Sequence, residues 1–158
     1  MLAYVFWHRP RADVPRDAYE RALVAFHAAL AVPSAAFRLD RLPWREDDGY
    51  EDWYLVGGWD GLGALNEAAV TSPHRAPHDA VAGMSGEGWG GVYALLRGTP
   101  APPEAVRWAT RPAGEPYRRF LEREPAATIW QRQLTLGPAP EFALQEDATA
   151  GRTRLSPS

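Results

Sequence analysis

Residues 3–10 read AYVFWHRP and residues 105–112 read AVRWATRP, with Thr110 standing where the first version has His8. Each line is rich in aromatic or β-branched residues, as a strand is, and each closes on Arg-Pro. Downstream, the spacing Tyr19, Arg21, Leu23 returns as Tyr117, Arg119, Leu121. Two stretches that match in the same order predict an internal repeat, in which the chain lays down a strand-and-helix unit and then begins it again.

Between the two lines the local patterns predict βαββαβ. Leu2–His8 is the first strand. Asp13 is placed to cap a helix with Pro15 in its first turn, and Tyr19, Leu23, Phe26 and Leu30 recur at helical spacing to about Ala31. Pro33 stops it. Residues 36–42 alternate as a half-buried strand, EDDG (46–49) turns, and residues 50–56 return. Asp60 can cap a second helix carrying Leu62, Leu65 and Ala69. A loop or short helix follows around PHRAPHDAVAGM, then GEGWGG (86–91) as a loop entering a fourth strand over 92–96. TPAPPE (99–104) reads as a linker. Beyond it, strands over 106–110, 128–136 and 141–145 with one intervening helix give βαββ. The predicted organisation is a complete unit over 1–98, a linker over 99–104, a truncated copy over 105–145 and a polar, flexible tail over 146–158.

This order is that of the ferredoxin-like split unit, an antiparallel sheet with both helices on one face. One such sheet leaves its other face bare, and a second sheet can cover it. Together with the AYVFWHRP/AVRWATRP pair, the order makes residues 2–145 resemble the dimeric α+β barrel superfamily, whose members pack two ferredoxin-like sheets as a barrel. The superfamily includes cofactor-independent monooxygenases, haem-binding and haem-degrading proteins, muconolactone-isomerase-like enzymes and ligand-sensing modules. The resemblance implies a small-molecule pocket between sheet and helices. The truncated copy departs from the family pattern, so closure within one chain and closure in a homodimer are both open.

Several chemistries fall away on composition. The absence of cysteine removes disulfides, thiolate nucleophiles and Cys-type zinc sites. A formal charge of −3, with arginines scattered rather than striped, offers nucleic acid no footprint. No apolar run approaches the roughly 20 residues that cross a bilayer, so no membrane partner is expected. The apolar start lacks a preceding basic region and a following cleavage site, which predicts a cytoplasmic protein. The Ala, Arg, Gly and Pro bias is that of a GC-rich bacterial genome. No Walker loop, GxSxG or Glu-x-x-His is present.

The remaining candidates are the histidines and the polar groups of the strands. Tyr4, Phe6 and His8 share one strand face, opposite Val5 and Trp7. His8 among aromatics reads either as a general base or as a strand-end histidine bonded to backbone or water. Val106, Trp108 and Thr110 would take the equivalent face of the second copy. Asp52 with Tyr54, Arg38 with Asp40, and Gln131 with Gln133 and Thr135 are polar pairs and triples that line a pocket only if another layer covers them. Asn66 falls beside Leu62 and Leu65 and can reach the same place. His27 reads as a packing histidine; the resemblance adds haem ligation as an alternative. His74 and His78 have metal-ligand spacing, but Pro77 interrupts that helix face, so no metal is expected. His78 with Asp79 is either a cap or an orienting pair. The substrate-binding set is therefore Tyr4, Phe6, Tyr54, Trp108 and Gln131, with His8 and Asn66 as catalytic candidates. The expected function is binding, or cofactor-free oxygenase, isomerase or cyclase chemistry, on an apolar or aromatic molecule. A haem protein and a non-catalytic assembly or sensing module are the alternatives.

Overall fold

Alternation along the first strand sets the layout, because its two faces are apolar in different ways. The computed structural model describes residues 1–71 and 75–157. The first half runs β1 (Leu2–Pro10), α1 (Arg16–Ala29), β2 (Ser34–Leu39), β3 (Gly49–Val56), α2 (Trp59–Ala69), α3 (Arg75–Met84) and β4 (Ser85–Arg97). The second runs β5 (Val106–Ala109), α4 (Tyr117–Arg123), β6 (Ile129–Leu136), β7 (Phe142–Gln145) and β8 (Arg152–Arg154). The class is α+β. Among the described residues no helix is long and apolar enough to cross a membrane.

The strands form one eight-stranded sheet in the order β5-β7-β6-β4-β1-β3-β2-β8, and every pairing is antiparallel. The expectation of two separate sheets is corrected here. The halves join through a β4–β6 ladder, and the single sheet curls over itself. Curling answers the same physical demand as a second sheet, since it buries the face that the helices leave bare. Its extent shows in the rings: Trp108 of β5 lies 4.9 Å from Trp7 of β1 and 5.8 Å from Trp53 of β3. Ala3, Val5, Trp7, Trp53, Tyr93 and Trp130 fill this concave side. Tyr4, Tyr54, Phe26, Leu65 and Val92 form the opposite layer, between sheet and helices.

Three local expectations also change. Neither expected cap forms: Pro15 precedes α1 and Gly58 precedes α2, both without a side-chain bond, Asp60 lies inside the first turn of α2, and Asp13 accepts from Arg11. GEGWGG is not a loop but the start of β4, paired with β1 from Ser85 onward. The glycines are tolerated in a strand because aromatic rings take the space of the missing side chains. A Cβ on Gly88 would stand 2.5 Å from the Phe6 ring, and one on Gly90 2.9 Å from the Tyr4 hydroxyl.

The third change lies within the expected tail over 146–158, where residues 152–154 form the strand β8. β8 pairs with β2, and the side chain of Arg152 is 2% exposed, 2.7 Å from Glu51 and 3.3 Å above the Phe37 ring. The same arginine donates to the carbonyls of Pro103 and Glu104 at 2.6 Å, tying the 99–104 segment to the far edge of the sheet. A polar segment looks unstructured in sequence; here its guanidinium is the counter-charge of a buried carboxylate.

Candidate functional site

Between the helix-side face of the sheet and α1–α3 lies a cavity of about 830 Å³. Tyr4, Phe6, His8, Tyr54 and Asn66 all line it. Strand alternation positions the first three, and β3, paired to β1 with Tyr4 opposite Tyr54 and Phe6 opposite Asp52, supplies the rest of the floor. The floor is flat. Tyr54, Tyr4, Phe6 and His8 stack in sequence at ring separations of 6.0, 6.0 and 5.4 Å. It lies flat because Gly88 and Gly90 leave the neighbouring strand bare beneath Phe6 and Tyr4. Phe26, Leu62, Leu65 and Val81 form the helical wall, and the exposed Trp59, Leu134 and Leu136 stand at the mouth. Asn66 is exposed and sits on α2 at this rim.

Two members of the expected substrate-binding set are elsewhere. Trp108 points into the concave side of the sheet, where its indole donates to Glu51 at 2.8 Å. Residue-by-residue alignment of the two repeated lines put it on the helix side with Phe6. The structure shifts the faces by one, so that Trp108 meets Trp7 while Ala109 packs towards Phe120 of α4. Gln131 stands opposite Ala94 and does not line the cavity.

Behind the floor is a buried polar cluster. The Asp52 side chain is 3% exposed, and its Oδ2 lies 3.1 Å from His8 Nε2 and 3.3 Å from His27 Nε2. These are ion-pair contacts rather than aligned hydrogen bonds, and Asp52 Oδ1 and His27 Nδ1 have no partner. Tyr54 donates its hydroxyl to Asp52 Oδ2 at 2.8 Å. On its other side His8 meets the Tyr19 hydroxyl through Nδ1 at 2.6 Å, and Tyr19 in turn meets Ser85 Oγ at 3.0 Å. Burial acts to raise the Asp52 carboxyl, but the facing His8 and His27 imidazoles hold it below the usual carboxylate range. Asp52 is therefore ionised, and a carboxylate beside an imidazole fixes the orientation of the ring. Burial raises the Tyr54 hydroxyl well above its ordinary value, and the Asp52 charge adds to it.

Tyr19 is fully buried, and burial, with a smaller push from Asp52, raises its phenol to about 12. Because the folded value lies above the unfolded one of about 10, the phenol's contribution to stability is complete below pH 10 and is lost as pH rises through about 12. The phenolate absorbance difference between wild type and Tyr19→Phe is therefore expected to stay flat through pH 10 and to rise only near pH 12 or at alkaline unfolding. A step centred on pH 10 would contradict the buried placement.

Sequence reasoning had His8 and His27 as separate candidates and Asp52 with Tyr54 as a pair, and missed Tyr19 and Ser85. The signal for Tyr19 was its place on the apolar stripe of α1, which reads as packing. Ser85 lay beside the glycines and gave no signal. His27 turns its Nε2 to Asp52 and stacks its ring on Tyr54 at 5.0 Å; it does not line the cavity. His78 does line it, with Nδ1 3.1 Å from Asp79. His74 lies outside the described residues. Among the described residues no group of three His, Cys, Asp or Glu side chains could hold a metal ion. Comparison with protein-family models, curated proteins and solved structures finds no match to this chain.

Proposed function

We propose that this protein binds a flat, largely apolar molecule in the cavity between sheet and helices, and acts on it by general acid–base chemistry without a cofactor. The carrying observation is a carboxylate–imidazole pair, Asp52 and His8 at 3.1 Å, at the end of the aromatic floor of which His8 is the last ring. An apolar cavity with few convergent polar groups is the usual composition of a small-molecule site. A substrate whose reacting bond is a C–H or O–H beside a ring suits that pairing: the rings hold its plane, and the polar cluster takes its proton. Isomerisation, cyclisation or oxygenation of such a molecule each begins with this step.

The first half has strand order β4-β1-β3-β2, that of a ferredoxin-like unit, and the second has β5-β7-β6, which repeats the order of its first three strands. This supports a ferredoxin-like unit followed by a truncated copy, arranged like the fused halves of an α+β barrel.

Gly63 offers a direct test. It faces the cavity from α2, and nothing lies within 4 Å of a Cβ placed there. Gly63→Phe should place a ring in the cavity without disturbing the core, so stability is kept while affinity for a flat fused-ring phenol such as β-naphthol falls about tenfold, or 1.4 kcal/mol. Fluorescence titration of the naphthol measures this. Unchanged affinity in Gly63→Phe would place binding elsewhere.

A further inference from the structure

Both ring nitrogens of His8 are occupied by protein groups, Nδ1 by Tyr19 at 2.6 Å and Nε2 by Asp52 at 3.1 Å. The ring itself is 1% exposed. A ligand on the aromatic floor therefore cannot hand a proton to His8 directly. The hydroxyl chain leading away from Nδ1 does reach the cavity: Tyr19 contacts Ser85 Oγ at 3.0 Å, and Ser85, partly exposed, lines the wall. We propose that Ser85 is the catalytic group that meets the substrate's acidic hydrogen, and that Tyr19 relays the proton from Ser85 to His8. This rests on the acid–base reading above and names the atoms that carry it.

Proton counting along the chain supports the assignment. Each hydroxyl carries one hydrogen, so the chain points one way at a time. With His8 neutral and its proton on Nε2, Tyr19 donates to Nδ1 and Ser85 donates to Tyr19. Reversed, His8 donates from Nδ1 to Tyr19, Tyr19 donates to Ser85, and Ser85 needs a further acceptor. The structure supplies one, since the Val81 carbonyl lies 3.0 Å from Ser85 Oγ. In both directions every hydroxyl hydrogen thus has an acceptor, and the two differ by one proton on His8. In the forward step the substrate X–H bond breaks and leaves its electron pair on the substrate. That proton binds Ser85 Oγ as the serine proton passes to Tyr19, and the tyrosine proton passes to His8 Nδ1. The product is a substrate anion and an imidazolium facing Asp52. No oxidant or other reactant enters.

β-Naphthol tests the relay, because its excited state is a strong acid and its anion emits at longer wavelength than the neutral molecule. Bound to wild type it should emit as naphtholate. Bound to Ser85→Ala with the same affinity it should emit as the neutral molecule, with transfer slowed about 10²-fold, the lower end of a positioned proton acceptor's contribution. Ser85→Thr, which keeps the hydroxyl, should restore the anion band. Neutral emission from wild type, or equal anion emission from Ser85→Ala, would overturn the relay while leaving the cavity reading intact. A failure of naphthol to bind wild type would remove the cavity reading instead. The relay would then be judged without ligand, by exchange with water of the proton shared between the Tyr19 hydroxyl and His8 Nδ1 in nitrogen-labelled protein. Slower exchange in Ser85→Ala than in wild type or Ser85→Thr upholds it, and equal exchange overturns it.

Discussion

Glu51→Ala is expected to destabilise the protein by about 3–5 kcal/mol, the range for removing one partner of a buried ion pair. Glu51 is fully buried on the concave side of the sheet. Its Oε2 accepts the indole N–H groups of Trp7 at 3.0 Å and Trp108 at 2.8 Å. Its Oε1 accepts Trp53 at 2.7 Å and Arg152 at 2.7 Å. One carboxylate thus joins β1, β3, β5 and β8, binding strands from both ends of the sheet order. Without it a guanidinium 2% exposed is left without its counter-charge, and each orphaned indole adds about 1–3 kcal/mol that will not sum fully. Chemical denaturation measures the effect. Paired replacement by Glu51→Leu and Arg152→Met removes both charges and should recover part of the loss, because an apolar pair carries no desolvation cost. A Glu51→Ala variant within 1 kcal/mol of wild type would show that the curl of the sheet does not depend on this carboxylate.

Glu51 and Asp52 are neighbours in sequence, and their contrast shows how far the sequence can be read. Alternation alone puts them on opposite faces of β3. It separated Tyr4, Phe6 and His8 from Val5 and Trp7, and the structure brings the first group, with Tyr54 and Asn66, round one cavity. What alternation cannot tell is that both faces are buried. Every residue of β3 is buried, and an acidic pair at the end of a hairpin reads as solvated until the helices cover one face and the curled sheet the other. The error over Trp108 has a related cause. The two lines match in letters with Trp108 against Phe6, but in the structure Trp108 shares the concave side with Trp7, and a shift of one residue exchanges the faces. GEGWGG was misread because a glycine-rich run looks like a loop when the rings that replace its side chains lie on another strand. The contact between Arg152 and Glu51 spans most of the chain, and no local pattern announces it.

Asp52→Asn should lower stability by about 1.5–3 kcal/mol near neutral pH, the worth of hydrogen bonds to a charged group, and should also abolish proton uptake in the cavity. The side chain keeps its shape, so the loss reports the charge. Asp52 is held ionised by His8 and His27 against the opposing effect of burial, with its folded pKa below the usual range. A depressed folded value contributes stability that is present above the unfolded value of about 3.9 and is lost as pH falls through the folded value. The gap between wild type and Asp52→Asn should therefore be full near neutrality and shrink below about pH 4. The same charge has a kinetic role. A proton arriving at His8 Nδ1 creates an imidazolium whose Nε2 faces Asp52 at 3.1 Å. With asparagine there the relay atoms of Tyr19 and Ser85 are untouched, but the protonated end state loses its stabilisation. Bound β-naphthol should then emit as the neutral molecule, as with Ser85→Ala, although only Asp52→Asn changes the pH dependence of unfolding. Naphtholate emission from Asp52→Asn equal to wild type would mean that His8 is not the terminus of the relay. A stability gap that does not vary between neutral and acidic pH would mean that Asp52 is not held as a carboxylate.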